Sequence, residues 1–189
     1  DKVDIVTMNH FNRLDFMITN SLIKKYTDKN VYLIIQKGIG KIPIISCCTL
    51  NNIMVDRNIE SDKDNIANFI KKINDGIIVI LPEGTRMNKQ NFKKSEEFSK
   101  TNNLKVYNNL LYPKMKGLDV IINSLNNQNK LGNLIDITIK VDGLKKFETG
   151  FLFWVSKVAL GLSADVALRP IEHREYESKA RARGIRDRL

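Results

Sequence analysis

A chain of 189 residues with 42% hydrophobic content can bury one sizeable core, which favours a single folded unit. No apolar run reaches the roughly 18 residues of a membrane-spanning helix, and no signal-peptide pattern opens the chain, so neither is predicted. The formal net charge of +10 favours anionic partners, namely nucleic acid, an anionic membrane surface or phosphorylated small molecules.

The distribution of particular residue types narrows this choice. Basic residues are scattered, and no helix-turn-helix, zinc-finger or aromatic stacking pattern occurs, so no nucleic acid is expected. Cys47 and Cys48 are adjacent in an apolar stretch and unsuited to an ordinary structural disulfide, which favours reduced core residues in a cytosolic setting. With two histidines and no Cys/His cluster in the sequence, no bound metal is expected.

The first segment of the chain combines a histidine with a carboxylate. Residues 4–8 form a short apolar run typical of a buried strand, residues 14–25 have helical periodicity, and His10 lies between them. A histidine is the natural general base near neutral pH, and a carboxylate such as Asp15 commonly fixes its tautomer and stabilises its protonated form. The pair therefore suggests a base and its orienting group.

The spacing of five residues restricts how His10 and Asp15 can meet. On one continuous helix, five residues turn the side chain through about 500°, which leaves these two side chains roughly 140° apart. They can meet only if the helix begins after His10. The alternative is that Asp15 merely favours the helix N-terminus electrostatically and that His10 is an ordinary turn residue.

Buried strands and amphipathic helices alternate through the middle of the chain. Strands are predicted at residues 31–36, 52–57 and 76–81, helices at 61–74, near 95–99 and at 118–125, and a half-exposed strand at 134–141. Such alternation predicts an α/β fold with a largely parallel central sheet flanked by helices.

Two of these strands end in residues that are suited to phosphate binding. Pro82 and Gly84 impose a sharp loop on the most apolar strand. Thr85 and Arg86 should then lie outside the carboxyl edge of the sheet, where open α/β folds bind ligands. Arg57 ends the preceding strand, where it can hold a phosphate bidentately or can simply belong to a solvated charged edge.

The composition changes near residue 150. Residues 1–150 hold 21 asparagines and one alanine, whereas residues 151–189 hold no asparagine and five alanines, which predicts a boundary, a tail with a different role or joined sequence of different origin. Residues 151–168 are largely apolar and predict a helix, either packed or lying at a membrane interface. Residues 172–189 are charged and predict a solvated helix or a frayed tail.

Four short motifs occur in a fixed order along the chain: Asn-His-Phe-Asn-Arg-Leu-Asp at 9–15, Ile-Met-Val-Asp-Arg at 53–57, Pro-Glu-Gly-Thr-Arg at 82–86 and Tyr-Pro-Lys-Met-Lys-Gly at 112–117. They resemble the His-x4-Asp box and the second, third and fourth motifs of the glycerolipid acyltransferase family, with similar separations. The fourth motif most resembles the lysophospholipid and lysocardiolipin branch. Asn51 and Met54 depart from the glycine and the aromatic residue common in the second motif, which bears on the shape of the substrate pocket.

The resemblance implies an acyltransferase-like fold over residues 1–150 and transfer of a fatty acyl group to the hydroxyl of a lysophospholipid such as lysophosphatidate. Acyl-CoA or an acyl carrier protein would be the co-substrate, with no further cofactor. His10 would act as general base and Asp15 would stabilise its protonated form. The substrate-binding residues would be two phosphate clamps, the loop that shapes the site and a proline on the acyl-donor side: Arg57, Arg86, Glu83, Gly84, Thr85 and Pro113.

Such substrates lie in bilayers, so the resemblance also implies association with the cytoplasmic face of a membrane. The positive charge, with Phe151, Phe153 and Trp154, predicts a peripheral contact with an anionic surface. A competing interpretation is a non-catalytic basic α/β module that binds anionic phospholipid or nucleic acid, which would need no base and orienting group. A phosphate-ester hydrolase using the same arginines is a further alternative, but it lacks an evident nucleophile or metal site.

Overall fold

The computed structural model describes residues 1–10, 15–38, 52–56, 58–141 and 164–171. In chain order these ranges contain β1 (Val3–Met8), α1 (Asp15–Lys24), β2 (Val31–Gln36), β3 (Ile53–Val55), α2 (Ile59–Lys72), β4 (Gly76–Ile80), α3 (Lys89–Thr101), α4 (Lys116–Asn127), β5 (Leu131–Val141) and β6 (Ala164–Ile171).

The strands form one sheet in the order β3-β2-β4-β1-β5-β6. Strand β1 pairs in parallel with β4 and β5, β2 pairs in parallel with β3 and β4, and β6 runs antiparallel to β5. The prediction of an α/β fold with a largely parallel sheet is confirmed. Because β1 and β4 are parallel neighbours, the loops that follow them leave the same edge of the sheet side by side.

The two central strands are buried on both faces. In β1, Val3 and Ile5 point to one side of the sheet and Val6 and Met8 to the other, as the two-residue period of a strand requires. All six residues of β1 and all five of β4 are buried. The continuous apolar run in the β4 sequence therefore corresponds to a strand covered on both sides.

Helices cover both faces of this sheet. Helices α2 and α4 pack through Ile70 and Ile121 on the face that carries Val3, while α1 contributes Ile23 to the opposite face. The side chain of Asn58 caps α2 by accepting a hydrogen bond from the Glu60 N–H. The buried sheet thus holds the carboxyl ends of β1 and β4 in fixed positions.

Two predicted elements differ from the structure. Helix α3 runs over Lys89–Thr101, well beyond the short helix predicted near 95–99, because the Asn88 side chain caps its N-terminus. Residues 164–168, predicted as part of an apolar helix, instead belong to β6. The physical reason is that the outer edge of β5 offers unpaired N–H and C=O groups, and pairing with them satisfies both backbones.

Several predictions fall on residues outside the described ranges. These are the apolar stretch with Cys47 and Cys48, the helix over 151–163 with its aromatic residues, and the charged tail over 172–189. The boundary near residue 150 stays a prediction, although β6 belongs to the same sheet as β5. Within the described ranges, no helix has the length and apolar character needed to cross a bilayer.

Candidate active site

His10 and Asp15 meet at the carboxyl end of β1. The His10 Nδ1 atom lies 3.0 Å from the Asp15 Oδ2 atom, and the two side chains are 19% and 2% exposed. His10 follows the strand and is not in a helix, whereas Asp15 is the first residue of α1. The structure therefore satisfies the condition set by the spacing, that the helix begin after the histidine.

The surroundings of Asp15 fix its position at the start of α1. The residue lies in the first turn of α1, where a negative charge interacts favourably with the helix dipole. The Thr19 hydroxyl donates to the Asp15 carbonyl at 2.7 Å, and both residues are buried. With the carboxylate accepting from the Nδ1–H group, Nε2 is the ring nitrogen of His10 that can take a proton.

The segment of residues 82–87, here called the third-motif loop, follows β4 and turns sharply as predicted. Gly84 has a φ of +65°, a left-handed conformation that favours glycine, and its N–H donates to the Leu81 carbonyl at 2.9 Å. The Pro82 carbonyl accepts a hydrogen bond from the Lys114 N–H at 2.7 Å. The loop is thus tied to the segment that carries the fourth motif.

Asn91 holds the outer part of the third-motif loop. Its amide group donates to the Thr85 hydroxyl at 3.0 Å and to the Arg86 carbonyl at 2.9 Å. The Asn91 N–H in turn donates at 2.8 Å to the side chain of Asn88, the cap of α3. Thr85 and Arg86 are half-buried. They lie beside the histidine, because the next residue of the loop, Met87, donates its N–H to the His10 carbonyl at 3.1 Å.

Glu83 lies beneath the loop, not on its outer surface. Its side chain is 5% exposed, and the backbone N–H groups of His10 and Leu111 donate to its carboxyl group. Burial raises the pKa of this carboxyl group to about 7; the Asp15 charge adds to the rise and the two N–H groups oppose it. A carboxyl group in this position contacts the main chain of the site.

The remaining predicted site residues are Pro113 and Arg57. Pro113 is half-buried and lies between Tyr112, whose N–H donates to the Ser95 hydroxyl at 2.7 Å, and Lys114, which bonds to Pro82. The structure therefore brings the fourth motif against the third. Arg57 lies outside the described residues; β3, which precedes it, is three strand spacings from β1, or roughly 14 Å.

Sequence reasoning missed two residues that shape this site, Asn9 and Asn91. The Asn9 side chain donates to the Ile139 carbonyl at 3.0 Å and accepts from the Ile139 N–H at 2.7 Å. Asn91 braces the third-motif loop as described above. The sequence shows only that Asn9 follows a strand and that Asn91 lies three residues after the helix cap. Neither position identifies the distant group to which the side chain binds.

Comparison with known proteins identifies the family to which the chain belongs. The profile of the acyltransferase family matches residues 3–171, which covers every strand of the sheet and all four motifs. The chain belongs to this acyltransferase family.

Several members of the family with known names are similar in sequence to this chain. The chain is 24% identical over 142 residues to lysocardiolipin acyltransferase 1 of Danio rerio. It is 29% identical over 147 residues to lysophosphatidylinositol acyltransferase 10 of Caenorhabditis elegans. It is 25% identical over 146 residues to the probable 1-acyl-sn-glycerol-3-phosphate acyltransferase 5 of Arabidopsis thaliana. These matches cover 71–74% of this chain but 37–38% of each relative, so the chain spans little more than a third of their length.

Proposed function

We propose that this chain transfers a fatty acyl group from a thioester to the free hydroxyl of a lysophospholipid, with His10 as general base. The observation that carries the proposal is the 3.0 Å contact between the His10 Nδ1 atom and the buried Asp15 carboxylate. It lies at the sheet edge where parallel α/β folds bind ligands. Membership of the acyltransferase family and the names of the relatives support the same reaction.

The chemistry needs one group that can both accept and return a proton. The Nε2 atom of His10 removes the proton from the acceptor hydroxyl as its oxygen attacks the thioester carbonyl carbon. When the tetrahedral intermediate collapses, the carbon–sulfur bond breaks and the imidazolium returns the proton to the leaving thiolate. Asp15 stabilises the imidazolium between these two steps, and no covalent acyl-enzyme is required.

The substrates that we propose are phosphate-bearing lysophospholipids and acyl-CoA, with an acyl carrier protein as the other possible donor. Arg86, on the third-motif loop beside His10, and Arg57, after β3, are the proposed clamps for the acceptor phosphate. The three relatives named above share a lysophospholipid or acylglycerol phosphate in their names, which supports a phosphate-bearing acceptor. Pro113 is proposed to support the acyl-donor side.

The test is thiol release from acyl-CoA with and without lysophosphatidate. The wild-type protein should release thiol only when acceptor is present, and His10→Ala should lower kcat by about 1,000-fold, within the range for loss of a general base. His173→Ala, the chain's other histidine, is the matched control and should keep full activity. Acceptor-dependent thiol release by His10→Ala at the wild-type rate would refute the assignment.

Association with the cytoplasmic face of a membrane is part of the proposal. A chain with a net charge of +10 should bind anionic vesicles through electrostatic attraction that salt weakens. Sedimentation with phosphatidylserine vesicles at about 50 and 500 mM salt measures this, with phosphatidylcholine vesicles as the control. Equal binding to both vesicle types would contradict the electrostatic contact, and binding without any acyl transfer would favour the non-catalytic module.

A further inference from the structure

The main chain of His10 is held on both sides of its α-carbon by the third-motif loop. Its N–H donates to the Glu83 carboxyl group, and its carbonyl accepts from the Met87 N–H at 3.1 Å. Glu83 and Met87 are four residues apart in one loop and are both buried. Thus a single segment after β4 contacts both peptide groups of the histidine that follows the neighbouring strand.

We propose that Glu83 is a positioning residue: its buried carboxyl group fixes the His10 main chain, and so the direction of the imidazole, and does not contact substrate. The proposal rests on His10 being the general base. It changes the role expected for Glu83 from substrate binding to alignment of the base.

Burial and contacts of Glu83 carry this assignment. A side chain that is 5% exposed and directed at two backbone N–H groups is not presented to a lipid arriving from solvent. Thr85 and Arg86, in the same loop, are half-buried and remain accessible. The second N–H comes from Leu111, directly before the fourth motif, so one carboxyl group joins the first, third and fourth motifs at a single point.

Alignment of this kind should affect turnover more than substrate affinity. A base displaced by about 1 Å can lose on the order of 100-fold in rate, because proton transfer depends steeply on geometry. Asp15 orients the ring of His10 from the side-chain end, whereas Glu83 fixes the point from which the side chain departs. The two carboxyl groups therefore control different degrees of freedom of one base.

The kinetic test compares Glu83→Ala and Glu83→Gln with Asp4→Ala. Asp4 is a matched control: it is also buried, accepts a backbone N–H, from Asn133 at 2.7 Å, and lies at the other end of β1. We expect Glu83→Ala to lower kcat about 100-fold with KM within about twofold. Glu83→Gln keeps an acceptor oxygen and should recover at least about tenfold of that loss, while Asp4→Ala keeps kcat within about threefold.

Two kinetic outcomes would overturn the proposal. One is a raised KM with kcat unchanged in Glu83→Ala, which would mean substrate binding. The other is an equal fall in kcat in Glu83→Ala and Asp4→Ala, which would mean a general loss of structure. If the alanine variants do not fold, Glu83→Gln and Asp4→Asn replace them, and a lower kcat confined to Glu83→Gln supports alignment.

A spectroscopic test separates this proposal from the proposed function. In ¹⁵N-labelled protein without substrates at pH 8, above the pKa of about 7 of Glu83, the amide proton of His10 should shift upfield in Glu83→Gln, because a neutral acceptor replaces a charged one. The same proton should not move in Asp4→Asn. An unchanged His10 amide resonance in Glu83→Gln would refute the contact whatever the activity, whereas an inactive wild-type protein with the expected shift would refute only the proposed function.

Discussion

The two ends of β1 each contain buried carboxylates that bind main-chain N–H groups, yet their surroundings differ. At the amino end, Asp4 accepts from the Asn133 N–H at 2.7 Å and pairs with the Lys29 ammonium group at 3.0 Å. At the carboxyl end, Glu83 accepts two main-chain N–H groups, and the charge of the Asp15 carboxylate contributes to raising the pKa of Glu83. One end balances its negative charge with a cation; the other places two acids around a histidine.

This difference appears in the pKa values of the two ends. Hydrogen bonding to Asp4 is the main cause that raises the pKa of Lys29, so the ammonium group stays charged over the whole physiological range. Burial moves the pKa of Glu83 to about 7, into the range where an enzyme works. The same kind of hydrogen bond therefore accompanies a salt bridge at the amino end and a carboxyl group that titrates near neutral pH at the carboxyl end.

Replacing Asp15 with Asn should have the largest effect on the carboxyl end. The amide can donate to Nδ1 of His10, which would leave the proton on Nε2 and make the wrong nitrogen basic. We expect kcat to fall by about 1,000-fold with the midpoint of thermal unfolding nearly unchanged. The pH dependence of kcat in the thiol-release assay checks this, and activity within tenfold of wild type would show that the tautomer is not controlled by Asp15.

Titration of Glu83 should make stability fall as pH rises. The pKa of this group is near 4.5 in the unfolded chain and about 7 in the folded protein. Both states are protonated below pH 4.5, and the folded state alone keeps the proton between the two values. The contribution of Glu83 to the free energy of unfolding is therefore fully present at low pH. About 3 kcal/mol of it is lost as the pH rises through 7.

Urea unfolding at pH 5 and pH 8 measures this loss. The difference in unfolding free energy between wild type and Glu83→Gln should change by about 2 to 3 kcal/mol between the two pH values, because glutamine does not titrate. Asp4→Asn provides the comparison from the other end of the strand. A pH-independent difference for Glu83→Gln would mean that Glu83 stays ionised when folded.

Removal of Asp4 should weaken the fold without affecting the reaction. In Asp4→Ala the Asn133 N–H and the Lys29 ammonium group lose their buried partner, which should lower the free energy of unfolding by about 2 kcal/mol. Urea titration gives this value and the thiol-release assay gives kcat. If kcat fell as much in Asp4→Ala as in Asp15→Asn or Glu83→Ala, the two ends of β1 would not differ in their effect on the reaction.

The smallest effect is expected at Gly84, whose φ of +65° favours glycine. Gly84→Ala should lower the unfolding free energy by about 1 kcal/mol through backbone strain alone, because an added Cβ would meet its nearest neighbour, Lys114 Cδ, at 3.7 Å. Gly38→Ala is the control, since a Cβ there would meet nothing within 4 Å. Equal unfolding free energies for the two variants would show that the loop relaxes to accept alanine.

The sequence predicted the parts of this fold that depend on local periodicity. Strand β2 has its predicted ends, β1 and β4 lie within a residue or two of theirs, and the geometric condition on His10 and Asp15 is met. The helix predicted over residues 151–168 was wrong at residues 164–168, because these residues form β6, whose conformation depends on the edge of a distant strand. Local patterns also could not show that Glu83 lies under His10, since its burial follows from the neighbouring positions of β1 and β4 in the sheet.

The Asn9 side chain acts as a substitute peptide unit. Its amide group forms the donor and acceptor pair with Ile139 that a further residue of β1 would otherwise supply. The side chain thus supplies one more pair of sheet hydrogen bonds, although the backbone of β1 ends at Met8. The peptide groups of the next residue, His10, are thereby released from the ladder and become available to the third-motif loop. Aspartate at position 9 could accept but not donate, and its charge would face the Ile139 carbonyl, so only an amide of this length completes the exchange.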